Sequence, residues 1–173
     1  MSATEGFLAA NQRYAKNFRQ GGKPMPPAKK VTVVACMDAR IETGRLLGLE
    51  EGDAHVIRNA GGVITEDVIR SLAISQRLLG TTEIVLIHHT DCGMLTFKDD
   101  ALKAQIEEDT GLRPPFALEA FSQLEDDVRQ SIRRIQSSPF VPHKDDIRGF
   151  VYDVESGRLN EVDGWGSDSV SGH

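Results

Sequence analysis

Two short segments hold the residues best suited to chemistry, and both close an apolar run. Cys36-Met37-Asp38-Ala39-Arg40 follows residues 31–35, and His88-His89-Thr90-Asp91-Cys92-Gly93-Met94 follows residues 84–87. The chain has only two cysteines, and each sits at the end of one of these runs. Two thiolates, an imidazole and an oxygen donor form a tetrahedral set that suits Zn2+. Soft sulfur argues against Mg2+ and Ca2+, which take oxygen ligands. A single buried cysteine is more often a small hydrophobe, and a strand-end histidine more often a hydrogen-bonded core group. The matched placement, together with the two-residue gap between His89 and Cys92, favours the metal reading. His88 and His89 would point to opposite faces of one strand. His89 has the ligand spacing, and His88 is expected under a helix.

Asp38 has two possible partners. It can ligate the metal, or it can pair with Arg40, whose guanidinium grips a carboxylate through two parallel hydrogen bonds. With Arg40 holding it, the fourth metal position is open to water, as in catalytic zinc sites. With Asp38 on the metal the site is closed, as in structural ones. An ordinary exposed ion pair of little energetic value is the plain alternative.

These side chains can meet only if the surrounding elements bring two strand ends together. Residues 31–36 form a β-branched run of strand length. A short helix is expected over 41–49, then a strand over 55–58 that ends at Asn59-Ala60-Gly61-Gly62. Thr65 suits a helix N-cap, with Glu66 and Asp67 in the first turn and Gly80 closing the helix. A third strand spans 83–89. Helices are expected over 99–109 and 118–136, then a strand over 147–154 and a hairpin through Ser156-Gly157 into 158–162. The order implies an α/β fold with a mostly parallel central sheet flanked by helices, and a C-terminal hairpin or antiparallel edge strand. Phe7, Leu8, Tyr14 and Phe18 set a first helix over 5–18. In such sheets ligands bind beyond the carboxyl ends of the strands, where both cysteines fall.

A length of 173 residues suits one domain, expected over 1–163, with 164–173 a mobile polar tail. No apolar run is long enough to span a bilayer, and the first residues lack a signal peptide's apolar stretch; a cytoplasmic protein without a membrane partner is expected. In that setting two cysteines point to metal binding or catalysis rather than a disulfide. A net charge of −6 disfavours nucleic acid as a partner. Arg58-Asn59-Ala60-Gly61-Gly62 lacks the dinucleotide spacing, and neither a phosphate loop nor a nucleophile elbow occurs.

At Cys36-Met37-Asp38-Ala39-Arg40, Arg58-Asn59-Ala60-Gly61 and His89-Thr90-Asp91-Cys92-Gly93 the sequence resembles the β-class carbonic anhydrases, in particular their compact bacterial branch, which includes carbonyl sulfide hydrolases. The resemblance runs from the first helix to about Val162. It implies one Zn2+ per chain on Cys36, His89 and Cys92, and an Asp38/Arg40 catalytic dyad, with Asp38 a fourth ligand only in a closed form. It implies reversible hydration of CO2 to bicarbonate by zinc-bound hydroxide. It also implies a homodimer or homotetramer in which helix 5–18 packs on a partner subunit. Met37, Ala60, Gly61 and Gly93 are candidate substrate-pocket residues; the proton shuttle is unidentified, with His55 one candidate and an ordinary surface or core histidine its plainer reading. Met37 and Ala39 stand where many relatives have serine, and a bicarbonate-orienting glutamine of the plant-type members has no evident equivalent. Hydrolysis of carbonyl sulfide or carbon disulfide, a non-catalytic zinc scaffold, and a redox or sensor module using Cys36 and Cys92 are the competing readings.

Overall fold

The computed structural model describes residues 2–163, and the expected tail over 164–173 lies outside them. Five strands form one sheet: β1 (Val31–Cys36), β2 (Ala54–Asn59), β3 (Glu83–His89), β4 (Ile147–Tyr152) and β5 (Leu159–Val162). Their order is β2-β1-β3-β4-β5. All neighbours run parallel except β4 and β5, which form the antiparallel edge. Among the described residues five α-helices join them: α1 (Ala3–Asn17), α2 (Thr43–Leu47), α3 (Glu66–Leu79), α4 (Asp99–Thr110) and α5 (Leu124–Ser137).

The apolar runs form central strands because both of their faces are covered. Every residue of β1 is buried. On one face Val34, Ile84 and Leu86 pack against Val68 and Leu72 of α3 and against Val128, Ile132 and Ile135 of α5. On the other, Val33, Ala35 and Ile87 meet Leu46 and Leu47 of α2 and the adjoining Leu49. Thr65 caps α3 by accepting from the Val68 amide, and Gly80 closes it in the left-handed conformation, as the sequence implies.

Of the boundaries that differ from expectation, two have a visible hydrogen-bonding cause. The helix expected over 118–136 begins only at Leu124. The Asp99 carboxylate, at the start of α4, takes the amides of Leu118, Glu119 and Ala120 at 2.8, 3.1 and 2.8 Å. Those donors are drawn out of a helical ladder, and Glu119 adopts a left-handed φ of 63°. The strand expected over 147–154 ends at Tyr152. There Asp153 accepts from the Glu155 amide and the Ser156 hydroxyl, starting the turn to β5.

Helix α1 stands apart. None of its residues is buried, although Ser2 and Glu5 form a capping box at its start. Phe7 and Leu8 are 69% and 61% exposed. Among the described residues no helix is long and apolar enough to cross a membrane.

Candidate metal centre

Strands β1 and β3 are adjacent and parallel, with Ala35 level with Ile87. Their carboxyl ends therefore finish side by side, at the place where the chain reverses its direction of travel across the sheet. Cys36 is the last residue of β1 and His89 the last of β3. The turn after β3, with Asp91 at a left-handed φ of 53°, brings Cys92 back beside them. The donor atoms of Cys36, His89 and Cys92 all lie within 4.8 Å of one another, and all three residues are buried. Gly62 makes the approach possible: a Cβ there would lie 2.9 Å from the Cys36 amide nitrogen and 3.0 Å from the Ile87 carbonyl oxygen.

The chemistry of this cluster fits a soft dication. His89 donates its Nδ1–H to the Thr90 carbonyl at 2.8 Å, which leaves a lone pair on Nε2. That Nε2 is buried and has no hydrogen-bond partner. Neither cysteine is in a disulfide. The hydrogen bond from Cys92 lowers the Cys36 pKa to about 4 against the opposing effect of burial, and His89 helps. The same sulfur contact, followed by burial, pushes Cys92 up. A dication between the two sulfurs would favour the thiolate form of both.

Asp38 sits beside the cluster, with Oδ2 3.7 Å from His89 Nε2. Its carboxylate is turned onto Arg40. Oδ1 accepts from the Arg40 amide at 2.8 Å and from Nε at 2.9 Å, and Oδ2 accepts from the Arg40 terminal nitrogen at 2.8 Å. The Arg40 side chain first, and its backbone amide second, hold the Asp38 carboxyl well below the usual carboxylate range. The bidentate pair expected from spacing is therefore formed.

Two further residues brace this loop. Arg58, near the end of β2, donates to the Cys36 carbonyl at 3.0 and 2.9 Å and to the Asp38 carbonyl at 2.7 Å. Arg40 reaches across to Asp91, donating to its carboxylate at 2.8 Å and its carbonyl at 3.0 Å. Sequence reasoning passed over both roles. Arg58 and Asp91 lie inside motif segments that carry the family resemblance, but neither was assigned a role of its own.

The remaining candidates separate. His88 is fully buried under α5, with Nε2 2.7 Å from the Asp127 carboxylate, as expected for the residue facing away. His55 does not reach the centre. It lies at the start of β2, level with Thr32, and its Nδ1 is 2.7 Å from Ser75 Oγ. Four positions of extended strand, roughly 13 Å, separate it from the carboxyl end of β2, which removes it as a direct proton shuttle. Met37 is 63% exposed and Ala60 and Gly93 are also exposed, whereas Gly61 is buried against Met94 and Phe121. A groove of about 1310 Å³ runs instead along α3, between Ile74, Phe116 and Phe140, away from the cluster.

The family model described as carbonic anhydrase matches residues 31–159, which include both motif segments and the sheet that aligns them. The chain is 59% identical over 162 residues to β-carbonic anhydrase 1 of Mycobacterium tuberculosis, covering 94% of this chain and 99% of that protein. This chain belongs to the β-carbonic anhydrase family. Its fold agrees: the crystal structure of carbonic anhydrase from Streptococcus mutans superposes with a TM-score of 0.89 at 42% identity, covering 94% of this chain and 99% of that one. A carbon disulfide hydrolase of Acidithiobacillus thiooxidans is also similar, at 31% identity over 176 residues, covering 90% of this chain and 86% of that protein. Cys36, Asp38, Arg40, His89 and Cys92 thus lie together beyond the carboxyl ends of β1 and β3.

Proposed function

We propose that the protein catalyses the reversible hydration of CO2 to bicarbonate, with one Zn2+ per chain held by Cys36, His89 and Cys92. The observation that carries this reading is the buried donor cluster with an unpartnered Nε2, next to a carboxylate that Arg40 turns toward itself. When bound, zinc supplies the Lewis acidity that makes water a nucleophile near neutral pH. Asp38 would accept a hydrogen bond from a water at the open position and so fix its orientation toward CO2. Because Arg40 keeps Asp38 ionised, Asp38 orients and does not store the proton. The proton that hydration releases would therefore have to pass to solvent or buffer. Two anionic sulfurs offset much of the metal's charge, so activity should rise with pH. Rotation of Asp38 off Arg40 would add its Oδ2 to the donor set and close the site.

The reading extends to assembly and setting. A single domain over 1–163 acts in the cytoplasm as a homodimer or homotetramer, with α1 packed on a partner subunit. The support is the uncovered apolar side of α1, where Tyr14 and Phe18 add to Phe7 and Leu8. Hydrolysis of carbon disulfide or carbonyl sulfide is the second reading. Relatives named carbon disulfide hydrolase, at 31% and 34% identity, favour it, and the 59% relative named β-carbonic anhydrase 1 favours the first.

Stopped-flow CO2 hydration by zinc-loaded protein, from about pH 6.5 to about 9, tests the proposal. Carbonyl sulfide and carbon disulfide hydrolysis should be assayed on the same preparation. Asp38→Ala is expected to keep zinc and lose about a hundredfold or more in turnover. Full activity in that variant refutes the dyad. Turnover of the sulfur substrates without CO2 hydration replaces the first reading by the second.

A further inference from the structure

We propose that Asp91 is a positioning residue that acts through Arg40 to fix the direction of the Asp38 carboxylate. The inference rests on the proposed reaction for its kinetic part, and on geometry alone for its structural part. Arg40 is held from two sides. Its Nε and one terminal nitrogen grip Asp38, in the loop after β1. Its other terminal nitrogen donates to the Asp91 carboxylate at 2.8 Å, and the nitrogen shared with Asp38 also donates to the Asp91 carbonyl at 3.0 Å. A single planar guanidinium thus ties the loop after β1 to the turn after β3, the two segments that carry Cys36 and Cys92.

Local backbone geometry is consistent with a built contact. Asp91 holds a left-handed φ of 53°, a region that disfavours most side chains but tolerates aspartate and asparagine. That conformation presents both the carboxylate and the carbonyl of one residue to one guanidinium. Asp91 is 79% exposed in its side chain, so no packing requirement explains an acidic residue there. Arg40 is itself 46% exposed. With Asp38 as its only partner, the guanidinium could follow that carboxylate as it turns. Anchored by Asp91, it stays in place, and Asp38 is held to one orientation.

The test compares zinc-loaded wild type, Asp91→Gly and Asp91→Asn. Glycine accepts the left-handed backbone without strain and removes only the carboxylate. Asparagine keeps the backbone and one accepting oxygen. Asp91→Gly should lose about five- to tenfold in kcat with KM nearly unchanged, the size expected for an exposed charge-assisted contact. Asp91→Asn should recover part of that loss. Independently of activity, 15N NMR of the arginine side chains should show faster guanidinium rotation at Arg40 in Asp91→Gly and intermediate rotation in Asp91→Asn. The Arg40 signal is assigned by its absence in Arg40→Lys. Unchanged rotation overturns the proposal, as does unchanged kcat in an active enzyme. Loss of zinc from Asp91→Gly also overturns it, because Asp91 would then act on the metal cluster. A wild type without CO2 hydration refutes the proposed reaction, while the Arg40 signal still decides the clamp.

Discussion

Replacing Gly62 by alanine should damage the metal centre more than any comparable glycine substitution. Gly62 has a φ of +68°, and an added Cβ would lie 2.9 Å from the Cys36 amide nitrogen, 3.0 Å from the Ile87 carbonyl oxygen and 3.1 Å from the Ala35 carbonyl carbon. All three neighbours are backbone atoms of β1 and β3, so no side chain can rotate away. The left-handed conformation costs alanine about 1–2 kcal/mol, and overpacking against a fixed backbone adds about 1–3 kcal/mol. A total near 3 kcal/mol lowers the Tm of a domain this size by roughly 6–12 °C. Gly80→Ala is the control: its φ is +74°, but nothing lies within 4 Å of the added Cβ. It should show the backbone cost alone. Thermal unfolding followed by circular dichroism gives the stability, and competition with a chelator gives the zinc affinity. Gly62→Ala should lose both, because relief of the clash moves Cys36 relative to His89. If Gly62→Ala melts no lower than Gly80→Ala and binds zinc equally well, the strand-spacing argument fails.

Asp99→Asn should lose roughly 1 kcal/mol near neutral pH after allowance for solvent screening, read by urea unfolding. Burial works to raise the Asp99 pKa, but the amides of Ala120, Leu118 and Glu119 prevail and lower it. The folded pKa therefore lies below the unfolded one, so this stabilisation is present above about pH 4 and fades as pH falls through the folded value. The gap between wild type and variant should narrow on acidification; a gap that widens contradicts the assignment. Cys92→Ser should reduce zinc stoichiometry, measured by elemental analysis, and make the Tm insensitive to chelator; retention of tightly bound zinc removes Cys92 from the donor set. Phe7→Ser combined with Leu8→Ser should shift the protein to a smaller species in sedimentation, since both side chains are exposed in the single chain. An unchanged sedimentation coefficient separates α1 from assembly.

What could be read from the sequence depended on how local the cause was. Strands β1 and β3 were legible because both are apolar on both faces, a pattern set by burial alone. Cys36 and His89 were legible for the same reason, since each closes such a run, and Cys92 by its spacing from His89. The late start of α5 was not legible. Residues 118–123 carry apolar residues at helical spacing, but a carboxylate about twenty positions earlier claims their amides. The plainer reading of His55 as an ordinary histidine fits its place at the start of β2, since the site lies at the carboxyl ends of the strands. The two arginine clamps depend on strand order, which places the ends of β2 and β3 on either side of β1. No spacing within either segment encodes that neighbourhood.

The division between rigid and movable parts follows from where each side chain is anchored. Cys36 and His89 end strands with hydrogen-bonded neighbours on both sides, and both are nearly inaccessible to solvent. Moving either would break a ladder or open a packed core. Asp38 lies two residues beyond β1, in a loop, and its side chain is held by hydrogen bonds rather than by packing. Hydrogen bonds of this kind can be exchanged without disturbing a packed core, so Asp38 can turn only as far as the Arg40 clamp releases it. A fixed donor set with one adjustable carboxylate is what an enzyme needs if the same residue is both to orient a nucleophile and to shut the site. The wider the difference in anchoring, the less the donor set is disturbed when Asp38 turns. Shortening the reach of Asp38 changes nothing in the strands, whereas changing Gly62 changes both at once.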